Sequence, residues 1–379
     1  ADVTLIEQNK VLGKKLALTG GGRCNLTSSL PIEEFFPKVT TNPSFLYSSF
    51  YSFDNEALMR MFEEQGVALK TEGAKVYPVH ESAAKIVSFL ERSLSENGVR
   101  LLLGEGLLDF STEGGGIPRI ARVKTSKQIL RADALIFATG GASFPATGSD
   151  GKIFSLLKAK GFVVTDLFPS LVQLFTRRDF SSLAGVSVSK VKLSCVLGKK
   201  KKASTYGDLL FTQKGVSGPA AMDMSSYLTK EEPDEVLLHI DFLPELKASE
   251  LSDLLFSSSP KHLSTLLAKA LPSRLAKFLM EDFDTKDKFN LSKEERKVIT
   301  DLVKDFPLEL KGYGSLKEAI VTKGGLDVRE VSSSTMEAKK IKNLYFAGEC
   351  LDLDALTGGY NLQIAFSTGY LAGLCASQI

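Results

Sequence analysis

The stretch Asn343-Leu-Tyr-Phe-Ala-Gly-Glu-Cys-Leu-Asp352, followed by Thr357-Gly-Gly-Tyr-Asn-Leu-Gln-Ile-Ala-Phe366, constrains the fold more than any other part of the chain. Its apolar run Leu344-Tyr-Phe-Ala347 has the length of a buried strand. Gly348 and Glu349 end that run, and Gly358 and Gly359 lead through Tyr360, Asn361 and Leu362 into an apolar helical pattern. A strand, an acid, paired glycines and a helix start bring a carboxylate and free backbone N–H groups to one place. The carboxylate can accept hydroxyls of a polyol, and the glycines let backbone approach a ligand. The N–H groups face partial negative charge on a ring edge. Those are the needs of the ribityl and ring end of a flavin. The same pattern also describes a buried strand, a turn and a packed C-terminal helix, so other stretches have to decide.

Two of them lie near the start. Ala1-Asp-Val-Thr-Leu-Ile-Glu-Gln8 reads as a buried strand ending in Glu7. In a dinucleotide-binding βαβ unit such an acid closes the second strand and hydrogen-bonds the adenosine ribose. The G-x-G-x-x-G turn of that unit lies about 20 residues upstream of the acid. Only six residues precede Glu7 and the first is Ala, so the first strand, glycine turn and first helix are expected to be missing from the sequence as read. Further on, Gly20, Gly21 and Gly22 are followed by Arg23, Cys24, Asn25 and Thr27. A loop of exposed N–H groups beside a cation and a side-chain amide suits phosphate or the carbonyl edge of a flavin. A flexible surface turn is the plain alternative. Cys24 beside Arg23 has the setting of a lowered thiol pKa; with no partner cysteine nearby, a packing or positioning role is expected instead.

Two more motifs complete a pattern: Ala138-Thr-Gly-Gly-Ala-Ser-Phe-Pro-Ala-Thr-Gly148, and Leu209-Leu-Phe-Thr212 with Gly215-Val-Ser-Gly-Pro219. In this order they resemble the bacterial FAD-dependent oxidoreductases grouped with YhiN, aminoacetone oxidase and the bile-acid-inducible flavoprotein BaiN. The resemblance spans essentially the whole chain and stops short only of the family's N-terminal βα unit. It implies FAD as cofactor, with Ala138, Thr139, Gly140 and Gly141 as a second contact near the adenosine and pyrophosphate. It also implies that the loop around Thr212 and Ser217 lies close to the flavin, although Ser217 serves equally well as a helix cap. The family often has Val after its Gly-Glu pair where this chain has Cys350, and little consequence is expected.

Between these motifs the texture changes twice. Arg131-Ala-Asp-Ala-Leu-Ile-Phe137 is an apolar strand of the kind buried on both faces of a parallel sheet. After Gly161, runs such as Leu171–Phe175 and Val186–Val196 alternate apolar and polar residues, as half-buried antiparallel strands do. From Lys247 to Phe306 leucines recur at three- and four-residue spacing, which predicts a small helical bundle. The expected fold is a doubly wound α/β, Rossmann-like flavin domain interrupted by a β-rich, barrel-like insertion and a helical one. Its parts are 1–162 and 319–379 for the FAD domain, 163–244 for the β-rich insert and 245–318 for the helical insert. In the returning segment, Gly324 and Gly325 would let backbone run near the flavin ring, with Lys323 supplying positive charge.

Composition excludes several classes. With 379 residues, 43% apolar and 24% charged, the chain has material for two or three soluble domains. A net charge of +2 argues against a nucleic-acid or membrane-surface partner. No apolar run reaches the ~20 residues of a membrane span, and no signal peptide is visible. Cys24, Cys195, Cys350 and Cys375 are scattered, which speaks against a disulfide framework or zinc site and for a reducing cytoplasm. His80, His239 and His262 are equally dispersed, so no metal is expected.

The expected activity is FAD-dependent oxidoreduction of a small organic substrate, the protein positioning the flavin and tuning it. No acid–base pair stands out, and no catalytic residue is assigned. The lack of a second G-x-G-x-x-G leaves NAD(P)H open as a transient electron donor. Two rivals remain: a truncated, catalytically impaired flavoprotein fragment, and an RNA-directed flavoenzyme using Lys199–Lys202. Four lysines without interleaved aromatics are usually a solvated turn, which weighs against the second. Substrate, reaction direction and oligomeric state are not fixed by the sequence. Glu349→Ala is expected to weaken FAD retention, and Gly359→Val to block ligand approach more than it harms folding.

Overall fold

The computed structural model describes residues 1–197, 200–256, 262–286 and 288–379. They form two compact units, Ala1–Pro169 with Leu316–Ile379, and Ser170–Ser315.

The first unit is of the Rossmann type, built on two parallel strand pairs. Thr4–Glu7 runs beside Arg100–Leu103, with Glu7 opposite Leu103. Leu135–Phe137 runs beside Leu344–Phe346, with Phe137 opposite Phe346. The three residues of the latter strand are all buried, as its apolar run requires. Its partner is shorter than the sequence suggests, and only one of its faces is covered. Phe137 packs on Phe346 at a ring distance of 5.4 Å, whereas Ile136, pointing the other way, is 37% exposed.

Helices flank these pairs. Asn55–Glu63 starts where Asp54 accepts a hydrogen bond from Ala57 N at 2.7 Å, so Asp54 is the cap. Asn55 is instead buried, donating to Ser28 O and Leu30 O. Ala83–Glu96 buries Ala83, Ile86 and Phe89 against Cys24, Leu26, Leu58 and Phe62. Each fully buried Leu or Phe of such a cluster contributes roughly 1.5–3 kcal/mol. The 17-residue last helix, Tyr360–Ala376, buries Ile364, Ser367 and Leu371 in one stripe. Of the aromatics between Asn42 and Gln65, Phe45 and Phe50 are core residues, while Tyr47 and Tyr51 are more than half exposed.

The second unit is a closed six-stranded antiparallel barrel with helices sharing its core. The strands follow one another in the order Leu174–Thr176, Gly215–Ser217, Lys200–Thr212, Ser187–Leu197, Val236–Asp241 and Phe306–Tyr313. Helices Ala248–Phe256, Leu263–Leu267, Ser273–Met280 and Lys293–Lys304 precede the closing strand Phe306–Tyr313 in sequence. That strand pairs with both Val236–Asp241 and Leu174–Thr176, so the helices are set into the barrel's own chain path. Ser217 ends a strand and is not a helix cap; the cap position falls on Gly218, with φ 87°, and Pro219 begins the helix. Thr212 Oγ1 donates to Gly215 O at 3.1 Å, closing the intervening turn. Gly198 and Lys199, the tip of the expected basic hairpin, lie outside the described residues. Among the described residues no helix is long and apolar enough to cross a membrane, and no cluster of His, Cys, Asp or Glu could hold a metal ion.

Candidate flavin site

The sequence motifs of the first unit are joined by a chain of polar contacts. At the end of the first strand, Glu7 Oε1 accepts from Asn9 N and from Asn9 Nδ2, both at 2.7 Å. Asn9 Nδ2 also donates to Thr147 O at 3.0 Å, which ties Glu7 to the loop that follows Ala138–Gly141. From the short helix Lys14–Leu18, Lys15 Nζ reaches Glu349 Oε2 at 2.6 Å and Ser143 Oγ at 2.8 Å. Glu349 Oε1 accepts from Ser143 Oγ at 2.8 Å and from Thr322 N at 2.9 Å. One carboxylate thus gathers the helix before the triple glycine, the loop after Gly141 and the strand Val321–Lys323.

The far end of the same segment reaches the last helix. With its amide turned to satisfy its partners, Asn25 accepts from Gly359 N at 3.1 Å and donates to Thr27 O at 3.1 Å. Thr27 Oγ1 donates to Gln363 Oε1 at 2.7 Å, and Gln363 Nε2 donates to Ser367 Oγ at 3.0 Å, all buried. Residues 15–25 therefore run from Glu349 to the start of the last helix.

The glycines divide into two kinds. A side chain at Gly359, whose φ is 91°, would stand 2.6 Å from Thr27 Cα. One at Gly141 would collide with Thr322 and stand 2.9 Å from Glu349 Oε1. Gly324 and Gly325 are likewise held against backbone, of Asp166 and of Cys350 and Leu351, so packing explains them. Gly21 and Gly22 differ, because a Cβ at either would meet nothing within 4 Å. Their φ values of 65° and 89°, after 58° at Gly20, make a left-handed run with an open face.

Several expected ligand residues turn out to be engaged elsewhere. Arg23 does not face an open site: its guanidinium lies 2.7 Å from Glu72 and 2.9 Å from Glu81, and over the Tyr77 ring. Arg23 and Lys70 bonded to Glu72 hold that carboxyl down at about 2. Cys24 is wholly buried, and burial pushes its thiol up despite a hydrogen bond with Thr19, so it is a packing residue. Cys350 is buried too, its thiol pushed up to about 12 by burial, with Sγ 3.4 Å from Phe137 O. Tyr360 packs edge-on against Phe35 at 4.9 Å, and Leu362 lies against the cluster around Cys24. Asn361 clamps the preceding loop, accepting from Ala355 N at 2.9 Å and donating to Ala355 O at 2.7 Å. Lys323 lies buried 3.2 Å from Asp354, which offsets its charge. Lys15, Ser143 and Thr322 were missed in the sequence; a lysine one turn ahead of a glycine loop was the available signal.

The HI0933-like protein Rossmann domain family matches residues 1–375. The chain belongs to this family. It is 31% identical over 390 residues to a ribosomal RNA dihydrouridine synthase of Haemophilus influenzae, covering 99% of this chain and 92% of that one. It is 29% identical over 388 residues to a 3-dehydro-bile acid delta(4,6)-reductase of Clostridium scindens, covering 100% and 93%. Among solved structures, the 3-ketosteroid delta1-dehydrogenase of Sterolibacterium denitrificans shares the fold, with a TM-score of 0.52 at 12% identity, covering 100% of this chain and 95% of that one. The grouping expected from the sequence motifs is the one found. Like its HI0933-like family, the chain is a flavin-dependent oxidoreductase, with FAD as its cofactor. The structure fits that cofactor in three places. Gly21 and Gly22 present an open backbone face, and Ala138 and Thr139 stand exposed at the carboxyl end of their strand. Beside Gly140, the buried hydroxyl of Ser149 has no hydrogen-bond partner among the described residues.

Proposed function

We propose that the chain uses FAD to reduce a carbon–carbon double bond conjugated to a carbonyl group. The observation that carries this reading is a single bond change shared by two relatives with unlike substrates. A 3-dehydro-bile acid delta(4,6)-reductase is named for double bonds in line with a 3-oxo group. A dihydrouridine synthase is named for a product in which the uracil double bond beside a ring carbonyl is saturated. Saturating the double bond beside the carbonyl adds a hydride to the β carbon and a proton to the α carbon, and a conjugated bond one vinyl unit further out takes its hydride at the δ carbon. FAD, when bound, supplies the hydride equivalent, and NAD(P)H is the proposed source of its electrons.

The residues divide the work of holding that cofactor. Glu7 takes the adenosine ribose, and Ala138, Thr139, Gly140 and Gly141 line the adenosine and pyrophosphate portion. The open backbone of Gly20, Gly21 and Gly22 takes phosphate or the carbonyl edge. Glu349, following Gly348, accepts ribityl hydroxyls while Lys15 orients its carboxylate at 2.6 Å. Gly358 and Gly359 turn the N-terminus of the last helix toward the ring edge, where N–H groups favour the negative charge that reduction places there. Asn25, bonded to Gly359, and Asn361, bonded to Ala355, fix that helix start. The proposed compartment is the cytoplasm.

The test is anaerobic. Enzyme reduced with dithionite is mixed with a 3-oxo-4-ene steroid or with uridine-containing RNA. Return of the oxidised flavin spectrum, with a product carrying two added hydrogens, is expected from one of them. Reduced enzyme that responds to neither, combined with oxidised enzyme that is bleached by a primary amine, would replace the reductase reading with an oxidase one.

A further inference from the structure

A cavity of about 370 Å³, whose lining includes neither Glu349 nor the glycine loop, opens in the first unit between the turn at Gly66–Ala68 and the helix Ala83–Glu96. Positions 85, 88, 89 and 92 share one face of that helix, which sets Lys85, Ser88 and Arg92 around the buried ring of Phe89. His80 closes the opposite side, and Val67 adds to the apolar floor. The lining contains no carboxylate. Among the described residues His80, Lys85 and Arg92 form no ion pair, and the side chains of all three, with Ser88, make no hydrogen bond. Glu81 and Glu72 are both paired with Arg23 and Lys70.

Three cationic or protonatable donors and a hydroxyl converge on one concavity with an apolar floor and no countercharge. Phosphate is the anion such a set recognises, since Arg and Lys donate charge-assisted hydrogen bonds to its oxygens. The floor of Phe89 and Val67 suits the flat apolar part of an organic ester rather than inorganic phosphate alone. The volume lies in the range of small-molecule sites. We infer that this cavity binds the phosphate of a nucleotide, free or within a single strand of RNA. The inference stands on the cavity and does not depend on which bond the flavin reduces.

Fluorescence anisotropy with a labelled mononucleotide and a labelled oligouridylate tests it on the full chain at low salt. At least one probe is expected to bind, and the Lys85→Gln/Arg92→Gln variant should weaken that binding about tenfold or more. If the source is a strand, the mononucleotide binds poorly. The oligouridylate then shows a log–log salt slope that is shallower in the variant by ~1.4, from ~0.7 per phosphate contact. If the source is a free nucleotide, it competes with the oligouridylate at equal affinity. Both substituted side chains are exposed and unpaired, so the variant's thermal melt should match the parent's, which separates lost binding from lost fold. Neither probe binding, or binding unchanged in the variant, overturns the inference.

Discussion

At the scale of single residues, Glu349 carries the most. Its carboxylate satisfies Lys15, Ser143 and Thr322 N at once, and its side chain is 19% exposed. With Glu349 as the proposed ribityl ligand, removing it takes a charge-assisted acceptor from the cofactor and leaves Lys15 without its carboxylate. Losing one such hydrogen bond costs roughly 1.5–3 kcal/mol, about ten- to a hundredfold in FAD dissociation constant. Glu349→Ala measured by titration of flavin fluorescence should show that loss, and Glu349→Gln a smaller one. The glycines give a contrast. Gly359→Val forces a Cβ to within 2.6 Å of Thr27 at φ 91°, so it should lower stability by several kcal/mol, contrary to what the sequence suggests. Gly21→Ala meets open space and carries only a left-handed backbone cost of about 1–2 kcal/mol, yet should impair flavin binding. Thermal melts beside flavin titrations separate the two. Thiol chemistry adds a check, because the burial that raises the Cys24 and Cys350 pKa keeps both protonated near neutral pH. A disulfide reagent at mildly alkaline pH should label partly exposed Cys375 first and reach Cys24 and Cys350 only on unfolding.

At the scale of elements, the clamp between residues 25–27 and the last helix decides whether the glycine loop and the helix start hold together. Gln363→Leu removes a buried amide that accepts from Thr27 and donates to Ser367, leaving those hydroxyls short of a partner. It should cost about 1–3 kcal/mol in denaturant melts and loosen flavin binding as well. The surface cluster of Arg23, Lys70, Glu72 and Glu81 behaves differently. Glu72 sits at about 2 against an ordinary 4.5, a lowered value, so its contribution is complete above about 4.5 and fades as pH falls through about 2. The melting difference between Glu72→Gln and the parent should therefore shrink across that window; a constant difference would mean the cluster is not what sets it. The sequence made these elements legible to different degrees. The apolar run Leu344–Phe346 and the alternation along Ser187–Leu197 announced their strands, and the leucine spacing after Lys247 announced its helices. The helix cap at Gly218 and the engagement of Arg23 by Glu72 and Glu81 were not legible. Both depend on partners distant in sequence or on a backbone angle that residue identity does not fix.

At the scale of the whole molecule, local order in the sequence forecast a flavin domain interrupted by a barrel and helices. The closing barrel strand Phe306–Tyr313 escaped notice because its alternation lies directly behind a helix, and only pairing across the barrel gives it a role. The site divides in the same way. Motif glycines and Glu349 could be found from their spacing, while Lys15, Ser143 and Thr322 are brought to Glu349 by the fold alone. The central claim is that this assembly holds FAD through Glu349. The most direct measurement is the visible spectrum of the purified chain after incubation with excess FAD and gel filtration, run beside Glu349→Ala. A structured flavin spectrum kept by the parent and largely lost by the variant is the predicted result. Flavin retained equally by both, or by neither, would contradict the account.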